Sequence, residues 1–478
     1  MISSTGLPRD DNDLTITAQY NSDDVDIEKG VNNTNDKISS NESSHYNPQN
    51  TLEKEHSDTR ISYEASVLDE PISKDLPNDA PDGGYGWAVV VAGFFAYVTM
   101  FGVANIYGLF SQAYATSTLE GKSTTLELMT VGSVLFVSLN ILSPISVLLV
   151  RFGTRFNYAL GSILACLGVF LASFTTEVWH LYLTQGLLFG FGSSFLYMSV
   201  ASVIPQWFTK RRAAAMGISS AGSGLGALSM SPMVNYLILK YGLPWAYRIL
   251  GFFLLGICTL GTFLIKDRVP MSSYRKSQPI KSPIKLSMFK MVNFDIWLIG
   301  SVISVMGYLP PVFYLPKYAA SIGINKSDAS NLLSILSASN AVFRIILGFG
   351  ADKIGRLNMF IIVSALSGIF SFVIWPFANS YNILLIYCIL WGATSGMYYA
   401  LAAPITATVV GMKDLSSGLS IAFIVSAIAA MGTPISAAIQ DATPNNGYIG
   451  IQMFNGAIYV LGAFICLYLK YRLTGGSL

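Results

Sequence analysis

The side chain with most chemistry in this sequence is a cation in an apolar run. Arg344 sits in AVFRIILG (341–348), and a guanidinium near mid-bilayer costs at least ~2.5 kcal/mol on insertion scales. Its planar fork of donors suits a bidentate hold on a carboxylate or another anionic group. The alternative is a structural cation bonded to carbonyls or tyrosines. Binding is the reading taken, because an ionisable group within a membrane usually faces a wet cavity or a partner. Asn340, one turn earlier, falls on the same helical face. Further polar candidates within apolar runs are Asn105, Asn140, Gln185, Tyr308, Tyr314, Tyr398 and Tyr399. Each of these also suits a plain helix–helix hydrogen bond. Arg344, Asn340, Asn105 and Tyr398 make up the expected solute-binding set.

A second group of residues suggests a latch rather than a ligand site. The stretch GFGADKIGR (348–356) places Asp352 and Lys353 at a helix end, then Gly355 and Arg356. It resembles the loop signature GxxxD[RK]xGR of the major facilitator superfamily. An acid there pairs with the basic loop and faces the positive end of a neighbouring helix. A related turn, VRFGTR (150–155), lacks the acid, and a tight basic turn explains it. Arg151–Gly153 and Lys353–Gly355 are 202 residues apart, as are Gly190 and Gly392. That constant offset suggests two parallel repeats, as in transporters built from two six-helix halves. The glycines at 217, 222, 224 and 226 let another helix approach closely.

The elements that position these residues are apolar spans. The chain is organised around Pro81–Phe110, the first run long and charge-free enough to cross a bilayer. Trp87 lies at its start and Tyr107 near its end, where amphipathic rings favour the headgroup region. Asp82 with Gly83 and Gly84 marks a tight turn just before it. Eleven similar spans follow, and the twelve are read as 87–111, 127–150, 156–176, 178–206, 213–237, 244–265, 293–316, 328–350, 357–377, 381–410, 416–439 and 447–470. The fold class is therefore an all-α membrane protein of twelve transmembrane helices in two six-helix pseudo-repeats. The expected domains are a disordered tail (1–81), a six-helix bundle (82–265), a basic linker (266–292), a second bundle (293–472) and a short end (473–478). The tail's polar, acidic composition cannot bury enough apolar area to offset chain entropy. It also helps to hold 18 of the 27 acids at or before Asp82. With the N-terminus inside, the inner loops and the C-terminal end hold 17 Lys and Arg and the outer loops four, so both termini are expected in the cytoplasm.

Only 12% of the residues are charged, about half the share of a soluble domain. No P-loop, HExxH or nucleophile elbow is present, so no catalytic residue is assigned and the chain is read as a non-enzyme. No basic domain supports nucleic-acid binding. The four cysteines fall in apolar runs and read as packing residues, so neither metal nor cofactor is expected. No Asp, Glu or His lies deep within a span, so the buried relay common in proton-coupled carriers is missing. The expected partners are a lipid bilayer and a small organic solute, with no obligatory protein partner.

Several stretches together resemble the monocarboxylate transporter family, and in particular its fungal branch. They are DGGYGW (Asp82, Gly83, Gly84, Tyr85, Gly86, Trp87), WFTKRRAAAMGISSAGSGLG (207–226), LPKYAASIGINKSDASNLLSI (315–335), Arg344, the Asp352 turn and VGMKDLSSG (410–418). The resemblance covers residues 82 to about 470. It implies a twelve-helix alternating-access carrier for lactate-like acids, aromatic amino acids, thyroid hormone or riboflavin. Animal members place a substrate-binding Lys where this chain has Asn105, and an Asp where it has Asn340. Of the three charged groups only Arg344 remains, so the titrating pair tied to lactate–proton coupling is gone. Where some relatives carry a bulky aromatic, this chain has alanines near 400–404, which implies a roomier cavity. The function expected is secondary transport of a small organic solute across the plasma membrane, with the vacuolar membrane as the other location. A riboflavin-type carrier and a non-transporting nutrient sensor are the alternatives.

Overall fold

The computed structural model describes residues 81–115, 117–121, 123, 125–149, 152–268, 284–444 and 447–475. Expectations for the 1–81 tail (save Pro81), for Arg151 and for most of the linker lie outside these residues.

Among the described residues the helices form twelve rods. The first set is α1 (Gly86–Ala115), α2 (Thr125–Ile141 continuing as Ser143–Leu149), α3 (Thr154–Ala172), α4 (Val178–Trp207), α5 (Arg212–Tyr241) and α6 (Leu243–Leu264). The second set is α7 (Val292–Ser321), α8 (Lys326–Ile354), α9 (Arg356–Val373), α10 (Tyr381–Val410), α11 (Leu415–Ala442) and α12 (Ile449–Leu473). Ten of these are long and apolar enough to cross a membrane, and α2, bent by 42°, makes eleven. The remaining rod, α5, has nine Gly and Ser among its 30 residues, which lowers its apolarity. This is a multi-pass membrane protein.

Helix ends follow local chemistry. Gly242 stops α5 at φ 82°, and Pro244 starts α6 where its missing N–H is harmless. Gly153 and Gly355 precede α3 and α9 at φ 106° and 105°. The gap left between the spans read as 328–350 and 357–377 is shorter than foreseen: Asp352 and Lys353 belong to the last turn of α8, and only Gly355 separates it from α9.

Within each set, buried side-chain hydrogen bonds tie neighbours together. In the first, Asn157 of α3 donates to Ser146 of α2 (2.8 Å) and Ser199 of α4 (3.0 Å), and Tyr158 donates to Ala92 O of α1 (2.9 Å). In the second, the Trp297 indole of α7 donates to Thr406 of α10 (3.1 Å), and Asn455 of α12 donates to Ser371 of α9 (3.0 Å). Lys285, just before α7, makes an ion pair with Asp414 at the start of α11.

Spans that look continuous in sequence are broken near their middles. In α7 the helix stops at Met306 and resumes at Leu309. Pro310 and Pro311 lack the N–H groups that would bond back across that break. In α10 it stops at Ser395 and resumes at Tyr398. π-helical turns interrupt α1 at Val98–Gly102 and α4 at Tyr182–Leu188. Irregular backbone at membrane depth is tolerated where protein or a cavity covers it.

Candidate functional site

The two sets meet along a seam, and the residues expected to form a latch lie at one end of it. Asp352 of α8 accepts from the amides of Ala213 (Oδ1, 2.9 Å) and Ala214 (Oδ2, 2.8 Å) in the first turn of α5. These are orphan donors at a helix N-terminus, where the macrodipole also favours a negative charge. Arg356 donates to Thr209 O (2.6 Å), with its Nε 3.4 Å from Asp352 Oδ1. The DGGYGW motif acts on the same turn from the other side. Asp82 Oδ1 accepts from the amides of Thr209 (2.8 Å), Lys210 (2.9 Å) and Arg211 (3.2 Å). Trp87 packs edge-on against Phe208 at 5.1 Å, and a Cβ on Gly86 would press on that ring at 3.0 Å. Two carboxylates, one from each set, thus hold the six-residue stretch 209–214. Gly83, Gly84 (φ 60°) and Asp82 (φ 47°) form the turn that lets the first of them reach it.

About eight residues, or ~12 Å, along α8 from this latch lies Arg344. It is 3% exposed. Its Nη1 donates to Ser220 O (3.0 Å) and Ser223 Oγ (2.7 Å), both on α5 in the opposite set. Its Nε has no partner. The two helices touch backbone to backbone here. A Cβ on Gly217 would run into Arg344 O, and one on Gly224 would lie 2.5 Å from Ser337 O. The glycines at 222 and 226 instead face α1, against Phe94 and Val98. One small-residue helix therefore serves two close interfaces.

Asn340 does not share this role. Its Nδ2 donates to Gly392 O of α10 (3.1 Å), within its own set. Gly396 must lack a Cβ because Asn340 occupies that space. The i, i+4 spacing placed the two residues on one face, yet one faces α10 and the other α5. Tyr398 is buried and shares a hydrogen bond with Ser426 of α11 (2.8 Å). Asn105 is exposed, about 12 Å farther along α1 than Tyr97, and no hydrogen bond joins it to Arg344. The expected binding set is therefore spread over three surroundings in this state. Ala400, Ala402 and Ala403, expected to widen a cavity, are buried.

At the level of Arg344 an aromatic group completes the seam. Tyr97 of α1 donates to Tyr399 O of α10 (3.0 Å), and the Phe101 and Tyr399 rings lie 4.7 Å apart. Tyr197 of α4 packs on Phe423 of α11 at 4.3 Å. Nearer the latch, Ser143 of α2 donates to Ser420 O of α11 (3.1 Å). Sequence reasoning singled out Tyr399 but missed Tyr97, Phe101, Tyr197 and Phe423, because scattered Tyr and Phe look the same in a core and in a seam. The hydroxyls of GISSAGSG were visible, and their spacing could have suggested partners for Arg344.

The seam between the two six-helix sets thus ends at a carboxylate that accepts from the first amides of α5. The sequence profile of the Major Facilitator Superfamily matches residues 89–434 and, in an overlapping match, 297–474. The chain belongs to that superfamily. It is 30% identical over 410 residues to MFS-type transporter 1 of Ophiocordyceps sp. (strain BCC 1869), covering 85% of this chain and 90% of the relative. It is 31% identical over 395 residues to the fujikurins efflux protein of Gibberella fujikuroi, covering 81% and 83%. In fold it is similar to the crystal structure of the E. coli fucose:proton symporter FucP, with TM-score 0.62, 14% identity, and coverage of 80% and 98%. The chain is thus a secondary transporter of a small solute rather than an enzyme.

Proposed function

We propose that this chain is a monocarboxylate-transporter-like carrier that moves a small organic solute by alternating access. In this reading residues 82–265 and 293–472 are two six-helix halves joined by the basic linker 266–292. All twelve helices cross the plasma membrane, and the latch end and both termini are cytoplasmic. The observation that carries the reading is Arg344, a buried cation whose acceptors Ser220 and Ser223 both lie on the opposite half.

When the halves part, that cation loses both acceptors. An uncompensated buried charge costs about 3–5 kcal/mol, which would hold the seam shut. A solute carboxylate meeting the guanidinium fork replaces the lost hydrogen bonds as the seam opens. Arg344 then binds solute and gates the rocking in one act. Asn105 would supply a hydrogen bond from the other half, with Asn340 and Tyr398 on the α10 side. With no acid or His deep in the described spans, coupling through a buried proton relay is not part of this mechanism. A larger solute of the riboflavin kind is the second reading, carried over from the resemblance to the fungal branch.

The test is uptake into vesicles holding the purified protein, using labelled lactate, pyruvate and riboflavin with and without an inward proton gradient. Carboxylate uptake that ignores the gradient and falls at least about tenfold in Arg344→Ala is expected. Equal carboxylate uptake by the variant would remove Arg344 from the solute path. Riboflavin uptake alone would move the reading to the larger solute.

A further inference from the structure

The breaks in α7 and α10 lie side by side and leave a small crevice between them. Its walls include Ser304, Tyr308, Ser395, Gly396, Tyr398 and Tyr399. The space is ≈ 10 Å³, about what one oxygen-sized group needs.

Its walls are rich in donors without acceptors. Tyr398 and Tyr399 are the first residues of the 13-residue second part of α10. First-turn amides have no intrahelical partner and point back towards the helix start. The helix path is interrupted between Ser395 and Tyr398, and Met397, the N-cap of the second part, provides no side-chain cap. The Ser395 hydroxyl is unpartnered in a residue 7% exposed, and so is the Tyr399 hydroxyl in a residue 4% exposed. Buried side-chain hydroxyls nearly always find partners, so two orphans lining one crevice call for an explanation. None of the residues lining the crevice is acidic or a histidine. The positive end of the second half of α10 faces it as well. This environment suits a hydrogen-bond acceptor and repels a cation. The crevice also borders the seam: Tyr399 lies in its wall, and its ring is tilted against Phe101 of the opposite set at 4.7 Å.

We infer that the broken turn of α10 is a second polar subsite, built to take one acceptor oxygen of the transported solute through Ser395, Tyr399 and the adjacent amides. This rests on the transport reading above, but it does not require the solute to be a carboxylate. Arg344 grips one end of the solute from α8, and the α10 turn reads a second oxygen. Parting of the seam shifts the Tyr399 wall and admits the solute.

The orphans give the test an unusual signature. A hydroxyl with a protein partner stabilises the fold, so its removal lowers the unfolding temperature. A hydroxyl kept unpartnered for a ligand does the reverse. Ser395→Ala and Tyr399→Phe are therefore expected to raise the unfolding temperature of the solute-free protein in detergent, by about 2 °C each. In vesicles each should raise KM about tenfold for whichever of pyruvate and riboflavin the wild type carries. Lower unfolding temperatures in both variants would mean the hydroxyls have structural partners, and would overturn the subsite even without an identified solute. Unchanged KM alongside wild-type uptake would overturn it while leaving the carrier reading intact. Failure of the wild type to carry any member of the panel would count against the proposed solute classes instead.

Discussion

Adding one methyl group at Gly224 should drive the carrier out of the closed state seen here. An ideal Cβ at this position lies 2.5 Å from Ser337 O and 2.7 Å from the Cβ of Ala341, both on α8. Neither neighbour is the end of a flexible chain, so the helices must separate. Overpacking of this kind costs about 1–3 kcal/mol. The cost falls only on the state in which α5 and α8 touch, so it shifts a conformational equilibrium instead of unfolding the protein. At 1.4 kcal/mol per decade the open state gains about five- to 150-fold. Separation at Gly224 also pulls Ser223 from Arg344, now 2.7 Å away, so the electrostatic tie yields with the packing. The assay is alkylation of a reporter cysteine, Ser143→Cys, at the buried seam contact with Ser420. The native cysteines at 166, 258, 388 and 466 are all buried and provide the background rate. Gly108→Ala is the control, because its Cβ would meet nothing within 4 Å. Faster labelling in Gly224→Ala than in Gly108→Ala is expected. Equal labelling in a folded Gly224→Ala protein would refute the idea that this glycine contact belongs to one state only.

Other residues of the seam give sharper contrasts. Asp352→Asn keeps the shape of the latch but removes the charge facing the start of α5, an interaction of about 0.3–1 kcal/mol and up to ~2 when partly buried. Reporter labelling should rise about two- to thirtyfold, and an unchanged rate would deny the latch a role in holding the seam. Asp82→Ala removes the acceptor for three amides of the 209–211 stretch, comparable to losing an N-cap at about 0.5–2 kcal/mol. Its lesion lies within the first set, so it should lower the unfolding temperature while leaving solute preference in the uptake panel as in wild type. A change of preferred solute would show that the motif reaches the binding site.

The span limits of this protein are legible in its sequence because they depend on local chemistry. Apolar runs must cover a membrane's thickness, and Gly242, Gly355 and Pro244 stop or start helices through φ angles and missing N–H groups. The contact of Asp352 with the start of another helix was legible for a similar reason: a carboxylate at one helix end needs only the amides of another helix end, a requirement with few solutions. The partners of Arg344 and Asn340 were not legible. A four-residue spacing puts two side chains on one helical face, but that face is broad enough to meet α10 with one edge and α5 with the other. Which edge meets which helix is decided by axis crossings that Gly217, Gly224 and Gly396 permit by lacking a Cβ. The same holds for the break in α10, whereas Pro310 and Pro311 carry a local signal for the one in α7. An apolar run reads as one helix until tertiary contacts, here the Asn340 donor on Gly392 O, satisfy the carbonyls that an interruption sets free. Composition and local sequence thus determine that the chain makes membrane helices and where they end. The packing of those helices against one another determines which polar groups are spent on the fold and which remain for a solute.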